Sequence, residues 1–201
     1  MQRLPKPLLD VVEQLSALPG LGPKSALRAA MTLLEWPRER SAGLGRSILD
    51  LREKLFLCPR CAGLSETELC PICADPIRDE ATLCLVAQWD SVLALEETGQ
   101  YKGKYMILGG LLDPLDGVAA SMLQFPLLAE RLRQGVVREL ILALGATLQA
   151  ETTASHVKNM LARDFPGVRL TRLAQGMPLG SEVKYIDKET LKQSMAFRQE
   201  L

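Results

Sequence analysis

Two Cys-x-x-Cys pairs, Cys58-Pro59-Arg60-Cys61 and Cys70-Pro71-Ile72-Cys73, are separated by eight residues, which places four thiols within sixteen residues. That spacing lets four thiolates close a tetrahedron around one metal ion, and zinc suits an all-thiolate tetrahedron best. A four-thiolate site keeps no open coordination position, so it neither activates water nor polarises a carbonyl, and the expectation is one structural zinc per chain. In isolated peptides such sites are worth on the order of 10–16 kcal/mol, enough to order a segment with little core of its own. The alternative is a pair of redox dithiols, but neither pair opens a helix after a strand as such a motif would. Five cysteines in all is an odd count, and the clustering suits metal thiolates in a reducing compartment better than a disulfide framework. The fifth, Cys84, lies in an apolar run and reads as core.

The rest of the chain must supply its own core. With 201 residues, 47% of them hydrophobic, 24% charged and 4% aromatic, it is too apolar and too balanced in charge to be disordered. Lys plus Arg and Asp plus Glu both number 24, for a formal net charge of zero. A nucleic-acid partner would therefore be held by a local patch, not by the field of the whole chain. No apolar run of about 18 residues occurs, and the opening stretch turns charged at Asp10 before a signal-peptide core forms, so the expectation is a cytoplasmic protein without membrane contact.

Leu8, Val11, Val12, Leu15 and Leu18 follow the spacing of one helical face. A Pro-Gly-Leu-Gly-Pro stretch breaks that helix, and helical composition resumes from Ala26 to Leu34, with Pro23 suited to a first turn. A third helix is expected from about Glu39 to Phe56. Beyond the cysteines the pattern changes. Apolar runs at 82–87, 105–108, 139–144 and 168–173 read as strands, and helices are expected at 89–97, 119–134 and 151–164. This alternation describes an α/β domain with a parallel sheet. In the last stretch, Val183, Tyr185 and Ile186 suggest a strand-like piece, and Leu191 with Met195 a short amphipathic helix. Such a tail has to pack on another module or subunit.

The glycine turn carries a second candidate site. Gly20 and Gly22 let the backbone approach another surface, and the first amides of the following helix point outward with the positive end of its dipole. Lys24 and Arg28, one helical turn apart, would flank a phosphate seated there, an interaction indifferent to base sequence. Residues 1–54 hold nine Lys or Arg against six Asp or Glu, a modest local surplus of positive charge. The competing interpretation is a simple tight connection between two helices.

Leu18-Pro-Gly-Leu-Gly with Lys24-Ser25-Ala26 resembles a helix-hairpin-helix motif. Followed by the four cysteines, by Tyr101-x-Gly103-x-Tyr105-x-x-Leu108-Gly109-Gly110 and by Pro114-Leu115-Asp116-Gly117, the order from about residue 8 to 195 resembles the RecR family of bacterial recombination mediators. The resemblance implies an α+β multi-module chain: helix-hairpin-helix at 1–54, four-cysteine zinc finger at 55–78, Toprim domain at 79–175, C-terminal oligomerisation segment at 176–201. It also implies a non-enzymatic DNA-repair protein that binds DNA, forms a ring-like homotetramer, acts with RecO and RecF to load RecA on single-stranded DNA at gaps, and associates with the nucleoid.

Toprim domains that do chemistry hold Mg²⁺ with a Glu after the first strand and an Asp-x-Asp pair later. Here the first strand runs into Ala87-Gln88-Trp89 with no carboxylate, while Asp113 and Asp116 stand three apart and Glu151 follows later. At most a weak divalent or partner site is expected of Asp113, Asp116 and Glu151. Ala87, Gln88, Gly145 and Ala146 also depart from the family's usual residues, on the face where the resemblance implies RecO contacts, and Gln175 replaces a usual His. Two rival readings stand: a Mg²⁺-dependent Toprim nuclease or primase-like enzyme, and a zinc-ribbon adaptor that binds only protein.

Smaller signals read blandly. His156 is a surface residue, and Asp113 and Asp116 suit turns. Glu96, Glu97, Lys102 and Lys104 read as a solvated helix end and loop, the two lysines being open to a role in a basic channel. Trp36 packs at a helix end, and nothing in the sequence accounts for Trp89.

Overall fold

The computed structural model describes residues 4–198; Arg3, counted above among the basic residues, and the last three residues of the tail lie outside them. The chain divides into two compact units, one ending at Leu55 and the other beginning at Phe56.

The first unit holds α1 (Lys6–Ser16), α2 (Pro23–Glu35) and α3 (Arg38–Lys54). Helix α1 starts two residues earlier than its apolar face suggests, because Pro7 is tolerated in a first turn where amides lack intrahelical partners. Val12 of α1 packs on Ala26 and Ala30 of α2, with Leu8, Leu15 and Leu27 around them. The two small residues let the helices approach closely. Trp36, extended at φ −71° and ψ 147° ahead of Pro37, ends α2, and the Arg40 guanidinium lies 3.7 Å from its ring centre. No residue of α3 is buried.

In the second unit β1 (Phe56–Leu57) and β2 (Leu64–Ser65) form a small antiparallel ribbon around the first cysteine pair, and α4 (Pro71–Ala74) follows the second. The sheet comprises β3 (Asp79–Val86), β4 (Gly103–Ile107), β5 (Glu139–Ala143) and β6 (Arg169–Arg172), all parallel, in the order β4-β3-β5-β6. Between the strands run α5 (Trp89–Glu97), α6 (Phe125–Arg133) and α7 (Leu148–Asp164), and the tail ends in α8 (Lys188–Ala196).

Both sheet faces are covered, which is why the strands read as continuous apolar runs. Side chains alternate along each strand. Leu83, Leu85, Met106 and Leu108 join Leu128 of α6 and Val157 of α7 in the larger core. Cys84, Val86, Tyr105 and Ile107 face the other way, into a second core that includes Val92 of α5 and all four clustered cysteines. The zinc finger is therefore one of the covering layers of the sheet.

Two sequence expectations need correction. The helix expected at 119–134 is a 3₁₀ turn at Ala120–Met122 and then α6, because the ring of Pro126 would meet the carbonyl four residues back in an unbroken helix. The strand expected around Val183 is a 3₁₀ turn, Val183–Tyr185, with Val183 and Tyr185 exposed and, among the described residues, no neighbouring strand to pair with. Helix α8 follows as expected, capped by Asp187 Oδ1, which accepts from the amides of Glu189 and Thr190 at 3.0 and 2.9 Å.

Candidate metal centre and nucleic-acid interface

The first cysteine knuckle is closed by local hydrogen bonds. Cys58 N–H donates to Gly63 O at 2.7 Å, Ala62 N–H to Cys58 O at 2.9 Å, and Ala62 turns through φ 58° to do so. In the second, contrary to the sequence expectation that neither pair opens a helix, Cys70 caps the one-turn helix α4, its Sγ accepting from Cys73 N–H at 3.4 Å. All four Sγ atoms are buried and lie within 4.8 Å of one another, Cys61 and Cys70 at 3.6 Å. A tetrahedron with zinc–sulfur bonds of about 2.3 Å sets its sulfurs about 3.8 Å apart, so the cage fits zinc. The thiols contend for charge: hydrogen bonds from Cys61 and Cys73 hold Cys70 well below the usual thiol range, while the bond to Cys70 pushes Cys61 up. A dication at the centre removes that conflict by favouring the thiolate at every position. Cys58, Cys61, Cys70 and Cys73 thus make a four-cysteine site for one zinc per chain. Cys84 is buried nearby, its thiol pushed up to about 12 by burial.

The knuckles are tied to the sheet at several points. Ile107 N–H donates to Cys61 O at 2.9 Å, so the first knuckle covers the outer edge of β4. A methyl group on Gly63 would fall 2.9 Å from Trp89 Cζ3, which gives Trp89 its account: its ring seats the knuckle. Lys104, expected at the surface, is only 1% exposed, and its Nζ donates to the carbonyls of Ile72, Cys73 and Asp75 at 3.0, 3.2 and 2.6 Å. Glu80 draws cations from three sides, Arg60 at 3.0 Å, Arg131 at 3.8 Å and Lys104 at 3.9 Å.

The Tyr-x-Gly-x-Tyr motif is structural as well. Tyr101 Oη shares its proton between Thr82 O at 3.1 Å and Lys104 O at 2.9 Å, crossing directly over Gly103. Tyr105 Oη donates to Glu96 Oε1 at 2.7 Å, and Arg78 grips the same carboxylate with Nη1 at 2.9 Å and with Nη2. Glu96 is therefore a half-buried partner and not a solvated helix end; Arg78 first, then Tyr105, holds its carboxyl below the usual range.

At the glycine turn of the first unit, Gly20 takes φ +81°, a conformation L side chains rarely adopt, and Leu21 N–H closes the turn on Leu18 O at 3.1 Å. Gly22 precedes α2 with no side chain to cap it, and a Cβ there would meet nothing within 4 Å. Lys24 and Arg28 are exposed on α2, and among the described residues neither has an acidic partner. The turn, the open amides and the two cations thus lie on one end of one helix.

The Toprim acids do not converge. Asp113 and Asp116 line a shallow crevice beyond the carboxyl ends of β3 and β4 with Ala87, Gln88 and Asp90. Asp113 is occupied: Oδ1 accepts from the amides of Leu115 and Asp116 at 3.1 and 3.3 Å, and Oδ2 from Gln149 Nε2 at 3.1 Å. Glu151 pairs with Arg172 at 2.9 Å in a separate crevice. Gly145 and Ala146 line a different hollow, with Gln175. Among the described residues the four cysteines are the one group of three or more His, Cys, Asp or Glu side chains close enough to share a metal. His156 is exposed, 4.6 Å from the Phe125 ring. No helix among the described residues is long and apolar enough to cross a membrane.

Sequence comparison adds to this geometry. Residues 8–51 match the model of the RecR helix-hairpin-helix, 55–75 that of the RecR four-cysteine zinc finger domain, 81–174 a Toprim domain and 176–199 the RecR C-terminal region. The recombination protein RecR of Nitratidesulfovibrio vulgaris is 59% identical over 201 residues, the whole of both chains. That of Maridesulfovibrio salexigens is 58% identical over the same span. That of Myxococcus xanthus is 41% identical over 197 residues, 98% of this chain and 99% of its own.

Proposed function

The chain belongs to the RecR family of recombination proteins, and on that premise we propose that it is a non-enzymatic DNA-binding protein of recombinational repair. The observation that carries this reading is the end of α2: Lys24 and Arg28, exposed and without an acidic partner among the described residues, flank open helix amides beside a glycine turn. These groups suit a phosphate and offer nothing that reads a base edge, so binding is to the DNA backbone. One such seat is weak. Several on one assembly gain avidity, which fits a ring-like homotetramer that surrounds DNA and acts with RecO and RecF to help load RecA on single-stranded DNA at gaps. In this scheme 1–54 is the DNA-binding region, 55–78 the zinc finger, 79–175 the Toprim domain and 176–201 the oligomerisation segment of a cytoplasmic, nucleoid-associated protein.

The absence of turnover is supported by the crevice after β3 and β4. Gln88 and Ala87 stand where catalysis would need an acid, Asp113 spends one oxygen on a turn and the other on Gln149, and Glu151 is paired elsewhere. General-base and two-metal chemistry lack their parts.

The test is DNA binding against salt for the wild type and the Lys24→Glu/Arg28→Glu variant, with mass measured in the same buffers. We expect steep salt dependence, binding that requires a multimer, and a slope lower by about two per engaged chain in the variant. A wild type that ignores DNA, or a variant that binds equally well, overturns the reading. Mg²⁺-dependent nicking or extension of DNA that Asp116→Ala abolishes would overturn the non-enzymatic part.

A further inference from the structure

Lys104 is the most deeply buried cation of the second unit among the described residues, and its surroundings are unusual for a lysine. All three of its protons are spent on carbonyls of the second knuckle, at residues 72, 73 and 75, one of them the carbonyl of the zinc ligand Cys73. Its nearest carboxylate, Glu80, stands at 3.9 Å and already binds Arg60 at 3.0 Å. A buried ammonium with so little counter-charge is costly unless a further anion lies close. The knuckle that Lys104 grips carries two of the four zinc ligands, Cys70 and Cys73, and a zinc ion bound by four thiolates has a formal charge of about −2.

The second link runs through the backbone. β4 is an edge strand, yet all five of its residues are buried. On the side of Tyr105 and Ile107 the knuckles do the covering: Ile107 N–H is bonded to Cys61 O at 2.9 Å, and the Lys104 side chain reaches the carbonyls of α4. Groups that hold the zinc cage thus also seal this side of β4.

We propose that Lys104 is a positioning residue of the zinc site that couples metal occupancy to the order of the β4 edge. With zinc bound, the thiolate centre stabilises the ammonium, and the ammonium holds the second knuckle in place for Cys70 and Cys73. When the metal leaves, Cys70 and Cys73 are no longer tied to the first knuckle, the carbonyls of residues 72–75 move off the ammonium, and β4 opens to solvent. The coupling is reciprocal, as any linkage between two sites must be. Loss of Lys104 weakens zinc binding as surely as loss of zinc loosens β4.

The experiment uses the full zinc-loaded chain and two readouts, zinc transfer to a chromogenic chelator and amide exchange followed by mass spectrometry. In the wild type, chelation should speed exchange at 103–107 at least about tenfold while 139–143, in the sheet interior, stays protected. Lys104→Met, which keeps the stem and removes the charge, should lose about 10–100-fold in zinc affinity, and Lys104→Arg should lose less. Unchanged protection of 103–107 after chelation overturns the proposal. So does a folded Lys104→Met chain that holds zinc as tightly as the wild type. Should Lys104→Met fail to fold, the wild-type chelation result and Lys104→Arg decide: equal zinc retention in Lys104→Arg together with a quiet β4 refutes the coupling.

Discussion

Replacing Gly103 by alanine tests whether the Tyr101 crossing is as tight as the geometry says. A Cβ at 103 would overlap Tyr101 Oη and stand 2.6 Å from both Tyr101 Cζ and Thr82 O. The first two contacts can be relieved by swinging the ring, which forfeits the hydrogen bond shared between Thr82 O and Lys104 O. The third involves the backbone of β3, the strand beside β4, and is relieved only by shifting the ladder. Loss of the one shared hydrogen bond, about 1 kcal/mol, and overpacking of about 1–3 kcal/mol set the cost at about 2–4 kcal/mol. For a chain of this size that is a fall in Tm of roughly 4–16 °C. Thermal unfolding of the zinc-loaded protein, followed by far-ultraviolet circular dichroism, measures it. Tyr101→Phe should cost less and should cost less still on the Gly103→Ala background, where the hydroxyl is already displaced. A fall under about 2 °C, or strict additivity of the two changes, would refute the reasoning.

Three further outcomes are expected. Glu96→Gln should flatten the acid limb of stability. The carboxyl is held below its ordinary 4.5 in the folded chain, so its contribution is present above that value and lost as pH falls through the lower folded one, and urea midpoints at pH 7 and pH 3 should converge in the variant. Thr153→Val should cost about 1–3 kcal/mol in urea unfolding at any pH, since Thr153 Oγ1 accepts the Leu112 amide at 2.9 Å in a fully buried position. Ala62→Gly should strengthen zinc retention modestly: relief of the left-handed conformation at φ 58°, roughly 1–2 kcal/mol, outweighs a glycine entropy cost of roughly 0.5–1 kcal/mol, and weaker retention under chelator would contradict this.

The elements that can be read from the chain are those whose information is local. Cysteine spacing specifies a tetrahedral cage over sixteen residues, and the helical face of Leu8, Val12 and Leu15 names its own partner surface. The parallel strands declare themselves because burial on both faces removes polar alternation. What the chain conceals depends on contacts distant in sequence. A lysine in a loop-like stretch reads as solvated until the carbonyls of residues 72, 73 and 75 are seen to claim its protons. Glu96 likewise depends on Arg78 and Tyr105, which belong to other parts of the fold. Trp89 has no account in the sequence because its partner, Gly63, has no side chain to advertise the contact. The break at Pro126 is legible in principle: proline allows a helix to start but not to continue through it.

The burial of all five cysteines gives the molecule a built-in pair of clocks. A thiol reagent acts on exposed thiolate, so the intact zinc-loaded chain should present none. Stripping the metal frees four sulfurs together, while Cys84, in the second core with its proton held tightly, becomes available only when β3 itself comes away from its neighbours. Counting modified thiols over time therefore separates demetallation from unfolding in a single sample, without a probe being added to the sequence.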